Sequence, residues 1–274
     1  MIAGYDYLTL RWREGGFWSR TRIAACALLI AGGILTGIGA GYYGYASNAR
    51  DDLAKLEVPA VRIVPVDAPK VEIVEPPEPV SQPFLPEASL YSGDAGDISA
   101  YSEIDLPEGF ALIDFSEGDA LSLVAPVTRM TISSLEIDST VVELSITNLG
   151  DRRAYETPNN TIGHIPETAD AGESGEGWYF GHTESPILDE GSVFFNLQQV
   201  ADELRTGKDV DIITDNGTEQ FLYRVTGTRV VHEDDLTLEG GGGPSIHLVS
   251  CVPRLVYDHR LIVDADLIAR KPSS

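Results

Sequence analysis

The sequence has 274 residues and a formal net charge of −24, with 43 Asp and Glu residues against 19 Lys and Arg. A chain this acidic repels nucleic-acid phosphates, and no basic patch or base-stacking motif offsets the repulsion, which excludes nucleic-acid binding. The positive charges are concentrated before residue 51, where five arginines are accompanied only by Asp6 and Glu14. This distribution indicates a basic N-terminal segment followed by an acidic body.

The first predicted element is a membrane-spanning helix over residues 23–45. This segment carries no charged residue, and a helix of its length crosses a hydrocarbon core of about 30 Å. Because four arginines precede it and acidic residues follow it, the positive-inside rule places residues 1–22 in the cytoplasm. A cleaved signal peptide is the alternative, although its apolar core is usually only about 7–15 residues long. Cys26 lies within the apolar segment and is interpreted as an ordinary residue of the helix.

Residues 46–126 are predicted to form an extended extracellular stalk. Residues 51–126 contain ten prolines, and 16 acidic residues against 3 basic ones. Such a composition buries too little apolar surface to fold, since proline fixes φ and the like charges repel one another. We therefore expect this segment to hold the following domain away from the membrane.

Residues 127–274 are predicted to form an all-β domain. Short runs rich in Val, Ile, Thr and Tyr alternate with turns, and eight such strands indicate a sandwich or a closed barrel. Asn216-Gly217 gives the strongest hairpin signal, and apolar residues at helical spacing predict one helix over residues 192–204. The predicted strands are 128–132, 135–137, 141–144, 178–181, 209–214, 221–231, 246–251 and 261–268.

Three residues of this domain have the chemistry needed for acyl transfer. Cys251 is the single cysteine of the exported part, so it has no disulfide partner there and is available as a nucleophile. It ends a predicted strand, Arg260 begins the next strand, and His182 follows the strand that ends at Gly181. A thiolate attacks carbonyl carbons, a histidine transfers protons, and an arginine stabilises an oxyanion.

Each of these residues also has a structural alternative. Cys251 can be a small buried apolar residue, and His182 can be an ordinary loop histidine. Arg260 can be a surface ion-pair partner of Asp258 or Glu184. The residues alone therefore leave an enzyme and a non-catalytic surface module open.

The order and spacing of several motifs resemble the sortase family. The stretch GESGEGWYFGH at residues 172–182 is similar to the family's Pro-Gly-x-x-Gly-Asn-x-x-x-x-Gly-His signature, and it identifies His182 among the five histidines. LVSC at residues 248–251 resembles the family's Thr-Leu-x-Thr-Cys, and RLIV at residues 260–263 resembles its Arg-Leu/Ile-Ile/Val-Val strand. The resemblance covers about residues 126–269.

Two positions before the cysteine depart from the family pattern, since His247 and Ser250 stand where the family has threonines. Ser250 keeps a hydroxyl group. The resemblance implies three residues that contact the substrate: Ser250, Val249 and Gly181. Because of these departures, a degenerate or non-catalytic member of the fold is the alternative function.

The resemblance implies a closed eight-stranded β-barrel with one or two short helices, and the activity of a membrane-anchored cysteine transpeptidase. Such an enzyme cuts a Leu-Pro-x-Thr-Gly-like sorting signal, holds the acyl group as a thioester on Cys251 and passes it to an amine of a cell-wall precursor or pilin. His182 and Arg260 are the other catalytic residues that it implies. The expected location is the plasma membrane, single-pass, with the C-terminal domain outside.

No cofactor is expected from the sequence. Some sortases use calcium held by acidic loop residues, and the sequence leaves that dependence open. The acidic run at residues 233–235 could belong to a metal-binding module, but a solvated loop is the preferred interpretation. The subclass also stays open, with classes D, E and F as candidates.

Overall fold

The computed structural model of the chain describes residues 7–60, 105–113, 124–148, 153–155, 158–185, 188–238 and 243–273. The strands are β1 Ala111–Leu112, β2 Arg129–Ile132, β3 Ile137–Glu143, β4 Ile146–Asn148, β5 Arg153–Tyr155, β6 Ile162–His164, β7 Glu176–Phe180, β8 Asp211–Asp215, β9 Glu219–His232, β10 Ser245–Val252 and β11 His259–Pro272. The α-helices are α1 Tyr7–Asp51 and α2 Val200–Arg205. Short 3-10 helices cover Asp52–Leu56, Ser133–Leu135, Phe195–Gln199 and Glu233–Asp235.

Eight of these strands close a β-barrel in the order β2-β8-β9-β11-β10-β7-β6-β3, with β3 returning to β2. The closure uses the two long strands β9 and β11, which pair from His232 opposite His259 to Glu219 opposite Pro272. The β3–β6 and β7–β10 pairs are parallel, whereas the other barrel pairs are antiparallel. The predicted closed eight-stranded barrel is confirmed.

The barrel interior is filled by one face of each strand. On β10, Ile246, Leu248 and Val252 belong to the main core cluster, together with Leu261 and Val263 of β11. Because side chains alternate along a strand, the residues between them project to the outer face of the barrel. The outer face of β10 and β11 therefore carries Cys251 and Arg260.

Two sequence predictions differ from the strands that form. The predicted strands 135–137 and 141–144 are replaced by the single strand β3, because Ser133–Leu135 make a 3-10 turn and Glu136 has a left-handed backbone with φ 56°. Strand β6 was not predicted. The predicted and observed numbers of barrel strands are both eight only because the extra strand predicted within β3 offsets the missing strand β6.

The predicted helix over residues 192–204 forms in two shorter pieces. A 3-10 helix covers Phe195–Gln199, and α2 continues from Val200 to Arg205. Phe194, Leu197 and Val200 are fully buried, so the expected apolar face is present. The predicted hairpin also forms, since Gly217 adopts φ 86° between β8 and β9.

Helix α1 contains the predicted membrane span. Its region from Arg22 onward is long and apolar enough to cross a membrane. The start of the predicted stalk differs from an extended chain, because α1 continues to Asp51 and Leu53 is buried in the main core cluster. Residues 61–104 and 114–123 of the predicted stalk lie outside the described residues, and the domain boundaries stay predictions.

Candidate active site

Cys251 and Arg260 lie directly opposite each other on neighbouring strands. The register of β10 and β11 pairs Cys251 with Arg260 and Ser250 with Leu261. Directly opposed residues of an antiparallel pair have Cβ atoms about 5 Å apart and project to the same face. Strand β10 ends at Val252, so the thiol and the guanidinium share one rim of the barrel.

His182 lies beside the same end of β10. Gly181 N donates a hydrogen bond to Val249 O at 3.2 Å, and the Thr183 hydroxyl donates one to Cys251 O at 2.7 Å. Both chain neighbours of His182 are therefore bound to the strand of the cysteine. The three predicted catalytic residues come from chain segments that meet at one end of the barrel.

The His182 ring is partly buried, with 21% of its side chain exposed. Its Nε2 is buried without a hydrogen-bond partner among the described residues, and Glu190 Oε2 lies 3.8 Å from it. Glu190 also accepts a hydrogen bond from the Ser185 hydroxyl at 3.0 Å. A carboxylate therefore lies near this ring nitrogen without forming a hydrogen bond to it.

The three residues expected to contact substrate have different surroundings. Ser250 is buried, and its hydroxyl is hydrogen-bonded to the Thr183 hydroxyl. Val249 is buried in a second apolar cluster on the outer face of the barrel. A Cβ on Gly181 would lie 2.6 Å from Phe194 Cδ2, so packing requires glycine there. The Ser250 hydroxyl is thus engaged within the protein, and the substrate contacts stay predictions.

Arg260 is held by a carboxylate and two backbone carbonyls. Its Nη2 lies 2.7 Å from Glu233 Oε2, and its Nη1 donates to Tyr257 O at 2.9 Å and to His259 O at 3.0 Å. Glu233 follows the end of β9. The acid that follows β9 therefore pairs with Arg260 in place of Asp258, one of the two partners named in the structural alternative.

A loop over residues 253–258, named here the 253–258 loop, connects β10 to β11. Glu184 accepts hydrogen bonds in this loop from Arg254 at 2.6 Å and from the Tyr257 hydroxyl at 2.6 Å. Tyr257 O in turn accepts from Arg260. Glu184, the other expected partner of Arg260, therefore joins the histidine segment to the loop that orients the arginine.

The Cys251 thiol is half-buried and weakly acidic. Burial raises the pKa of Cys251, the positive charge of Arg260 lowers it, and the negative charge of Glu233 raises it. The net shift of this pKa is upward. The neutral thiol therefore dominates at neutral pH, and the thiolate is a minor species.

His247 lies on the same face of β10 as Cys251 and helps to fill the outer wall of the barrel. Its Nδ1 is 2.7 Å from Asp264 Oδ1, and its ring packs on Trp178 with the ring centroids 4.4 Å apart. These contacts support a structural role for His247. The tight Asp264 contact fixes the ring in place.

One group of described residues could hold a metal ion, since ligand atoms of Glu143, His164 and Asp170 lie within 4.8 Å of one another. His164 Nε2 lies 3.1 Å from Ala169 O, and its Nδ1 lies 2.7 Å from Glu143 Oε1. Both ring nitrogens are therefore engaged within the protein, which distinguishes His164 from His182.

Sequence reasoning missed Glu233 and Thr183 at this site. Glu233 was assigned to a solvated loop, whereas its carboxylate neutralises Arg260. A prediction that β9 pairs with β11 would have found Glu233, because this pairing brings the residue after β9 beside the start of β11. Thr183 directly follows the histidine, and its hydroxyl ties that segment to β10.

Comparisons with known proteins were made on the sequence and on the fold. A comparison with curated proteins gave no match. Sortase E1 from Streptomyces coelicolor with a tripeptide in its active site matches with 16% identity and a TM-score of 0.40, over 54% of this chain and 91% of that chain. Sortase C-3 from Streptococcus pneumoniae matches with 20% identity and a TM-score of 0.43, over 58% and 70%. Sortase A from Listeria monocytogenes matches with 16% identity and a TM-score of 0.40, over 55% and 92%.

The comparison with protein families assigns one domain. The family model described as Sortase domain matches residues 130–268, which is slightly more than half of the chain. The matched range contains every strand of the closed barrel except the outermost residues of β2 and β11. The chain therefore belongs to the sortase family.

Proposed function

We propose that this sortase is a membrane-anchored cysteine transpeptidase. It cleaves a Leu-Pro-x-Thr-Gly-like sorting signal after the threonine and passes the acyl group to an amine of a cell-wall precursor or of a pilin. The observation that carries the proposal is the direct opposition of Cys251 and Arg260 across β10 and β11, beside the segment of His182. The apolar part of α1 supports a single membrane anchor, with the C-terminal domain outside the cell.

The first half-reaction forms a thioester. The Cys251 thiolate attacks the carbonyl carbon of the substrate threonine, and Arg260 donates hydrogen bonds to the oxyanion that forms. Protonated His182 then donates its proton to the nitrogen of the leaving glycine. The C–N bond breaks, an amine leaves, and the acyl group stays on sulfur.

The second half-reaction transfers the acyl group. The acceptor amine attacks the thioester carbonyl, and neutral His182 removes a proton from its nitrogen. When the tetrahedral intermediate collapses, the C–S bond breaks and Cys251 leaves as a thiolate beside the imidazolium. Water in place of the amine gives hydrolysis, and the proposed cycle uses no cofactor.

A degenerate or non-catalytic sortase-fold module is the second candidate. Two observations favour it: burial raises the pKa of Cys251, and Glu233 pairs with Arg260. The raised pKa reduces the fraction of Cys251 that is present as thiolate. The ion pair with Glu233 offsets the positive charge of Arg260, the oxyanion donor. The two candidates differ in whether a sorting peptide acylates Cys251.

The decisive experiment incubates the full chain in nanodiscs with a library of sorting peptides and amine acceptors, with and without calcium. We expect a peptide–enzyme thioester on Cys251 that hydroxylamine releases, and an amine-linked product. Cys251→Ala is the matched control, in which both species should disappear. Product formation by Cys251→Ala contradicts the mechanism.

Labelling with a thiol-reactive probe distinguishes the non-catalytic module from the proposed transpeptidase. An active site should label at Cys251, and His182→Ala should reduce that labelling. Equal labelling in both proteins, together with no acylation by any peptide, supports the non-catalytic module. In intact cells, labelling of Cys251 by a membrane-impermeant thiol reagent tests the proposed extracellular location.

A further inference from the structure

The end of helix α1 contacts the 253–258 loop at three points. The Tyr42 hydroxyl donates a hydrogen bond to Leu255 O at 3.2 Å, and the Tyr45 hydroxyl donates one to Arg254 O at 3.0 Å. Five residues further on, Arg50 forms an ion pair of 2.7 Å with the loop's last residue, Asp258. These three residues of α1 follow one side of the helix, at the point where the predicted membrane span ends.

The contacted loop has a backbone that needs external support. Leu255 and Tyr257 both adopt left-handed conformations, with φ of 64° and 61°. Such conformations cost roughly 1–3 kcal/mol each in residues with a side chain, and they persist where surrounding contacts hold them. Tyr257 is also the residue whose carbonyl binds Arg260. The orientation of Arg260 therefore depends on a loop conformation that its own sequence does not favour.

The chain after α1 is fixed to the barrel as well. Ala46 and Leu53 are buried, and Val58 exchanges two backbone hydrogen bonds of 2.9 Å with Thr228 of β9. A Cβ on Gly227 would lie 2.6 Å from Ala60 Cα, so glycine allows the close approach of the two backbones. The chain that follows Tyr42 and Tyr45 is thus anchored to the barrel, and Arg50 lies between two of the anchored residues.

We propose that Tyr42, Tyr45 and Arg50 are positioning residues for Arg260, so that the end of the membrane helix sets the reactivity of the active site. They act through the 253–258 loop and touch no substrate. Without them the loop relaxes from its left-handed conformations, and Arg260 moves away from Cys251. The catalytic consequence rests on the proposed function, whereas the support of the loop does not.

The charges around the thiol provide a readout for this role. Arg260 lowers the pKa of Cys251, and Glu233 raises it. His182 is the third titratable group, from the segment bound to β10. If Arg260 is displaced, burial and the charge of Glu233 still raise the pKa of Cys251. The pKa of Cys251 should therefore rise further when the loop loses its support.

The test uses the full chain in nanodiscs, in a Cys26→Ser background that leaves Cys251 as the only thiol. It compares this parent protein with the double variant Tyr45→Phe/Arg50→Gln. We expect the midpoint of Cys251 alkylation by iodoacetamide to rise by about half to one pH unit, which makes alkylation at neutral pH about three to ten times slower. Hydrogen exchange in the 253–258 loop should become faster, with the melting temperature little changed.

Two matched variants show whether the effect is specific. Lys55→Gln removes an exposed ion pair with Asp52 on the same segment, and it should leave alkylation and exchange unchanged. Tyr45→Phe/Arg50→Lys keeps the positive charge, and it should recover most of the parent pH profile. If the double variant misfolds, Tyr45→Phe alone removes one hydroxyl and should still speed up exchange in the loop.

The outcomes distinguish this inference from the proposed function. A double variant with the parent's alkylation profile and loop exchange overturns the positioning role, as does Tyr45→Phe with unchanged exchange. In a peptide-transfer assay we expect a lower kcat with KM unchanged. A parent protein that transfers no peptide but shows the loop effect refutes the proposed function and leaves the positioning role standing.

Discussion

Replacing Glu233 by glutamine should make Cys251 more reactive. The substitution removes the negative charge that raises the pKa of the thiol and that neutralises Arg260. Arg260 keeps its two backbone partners, Tyr257 O and His259 O. The guanidinium should therefore stay beside the thiol, and its positive charge should act on the thiolate without a competing carboxylate.

The structure sets the size of this effect. Glu233 is 45% exposed and Arg260 21% exposed, so loss of the ion pair should cost about 0–1 kcal/mol of stability. The Cβ atoms of directly opposed residues are about 5 Å apart. Because the carboxylate of Glu233 lies beyond the guanidinium, its distance from the thiol is about 8 Å. At an effective dielectric constant of about 40, a charge at that distance contributes about 1 kcal/mol. The pKa of Cys251 should then fall, and about 1 kcal/mol corresponds to about six times more thiolate at neutral pH.

The assay measures the rate of Cys251 alkylation by iodoacetamide as a function of pH in a Cys26→Ser background. Since only the thiolate reacts, a lower pKa moves the rate profile to lower pH. Asp234→Asn is the control, because it removes a neighbouring acid that is 85% exposed and pairs with His232. An unchanged or higher midpoint in Glu233→Gln, or an equal shift in Asp234→Asn, refutes the reasoning.

Two further substitutions test the site and its support. Arg260→Lys should reduce peptide transfer by about 100-fold or more, because a point charge cannot replace the planar pair of donors; kcat near the wild-type value removes Arg260 from the oxyanion site. Tyr223→Phe removes the hydroxyl that accepts from Gly172 N at 2.7 Å. The buried N–H then lacks an acceptor, which should cost about 1–3 kcal/mol in urea unfolding, and wild-type stability contradicts that role.

The strand that carries Cys251 could be predicted closely from the sequence. The predicted strand 246–251 differs from β10, Ser245–Val252, by one residue at each end. Its apolar run is rich in β-branched residues, and the following proline stops the ladder. The family signatures added the identity of His182, which the residues alone left in competition with four other histidines. The chemistry of the candidate site was therefore accessible before the structure.

Strand β6 shows why the individual strands were predicted incompletely. Ile162-Gly163-His164 is short and contains a glycine, so its local sequence does not favour a strand. Its pairing with β3 on one side and β7 on the other makes it a strand. A Cβ on Gly163 would lie 2.3 Å from Leu144 Cδ2. The glycine that weakens the local signal is thus the residue that the tertiary packing requires.

The ion pair of Arg260 is a consequence of barrel closure. Glu233 and Arg260 are 27 residues apart, and no local pattern links them. Once β9 and β11 pair with His232 opposite His259, the residue that follows β9 must emerge beside the start of β11. The motifs identify the expected catalytic residues, whereas the acid that follows β9 adds to burial in raising the pKa of Cys251. Moving the acid by one position, as in Glu233→Gln/Asp234→Glu, should therefore leave Cys251 as reactive as Glu233→Gln alone.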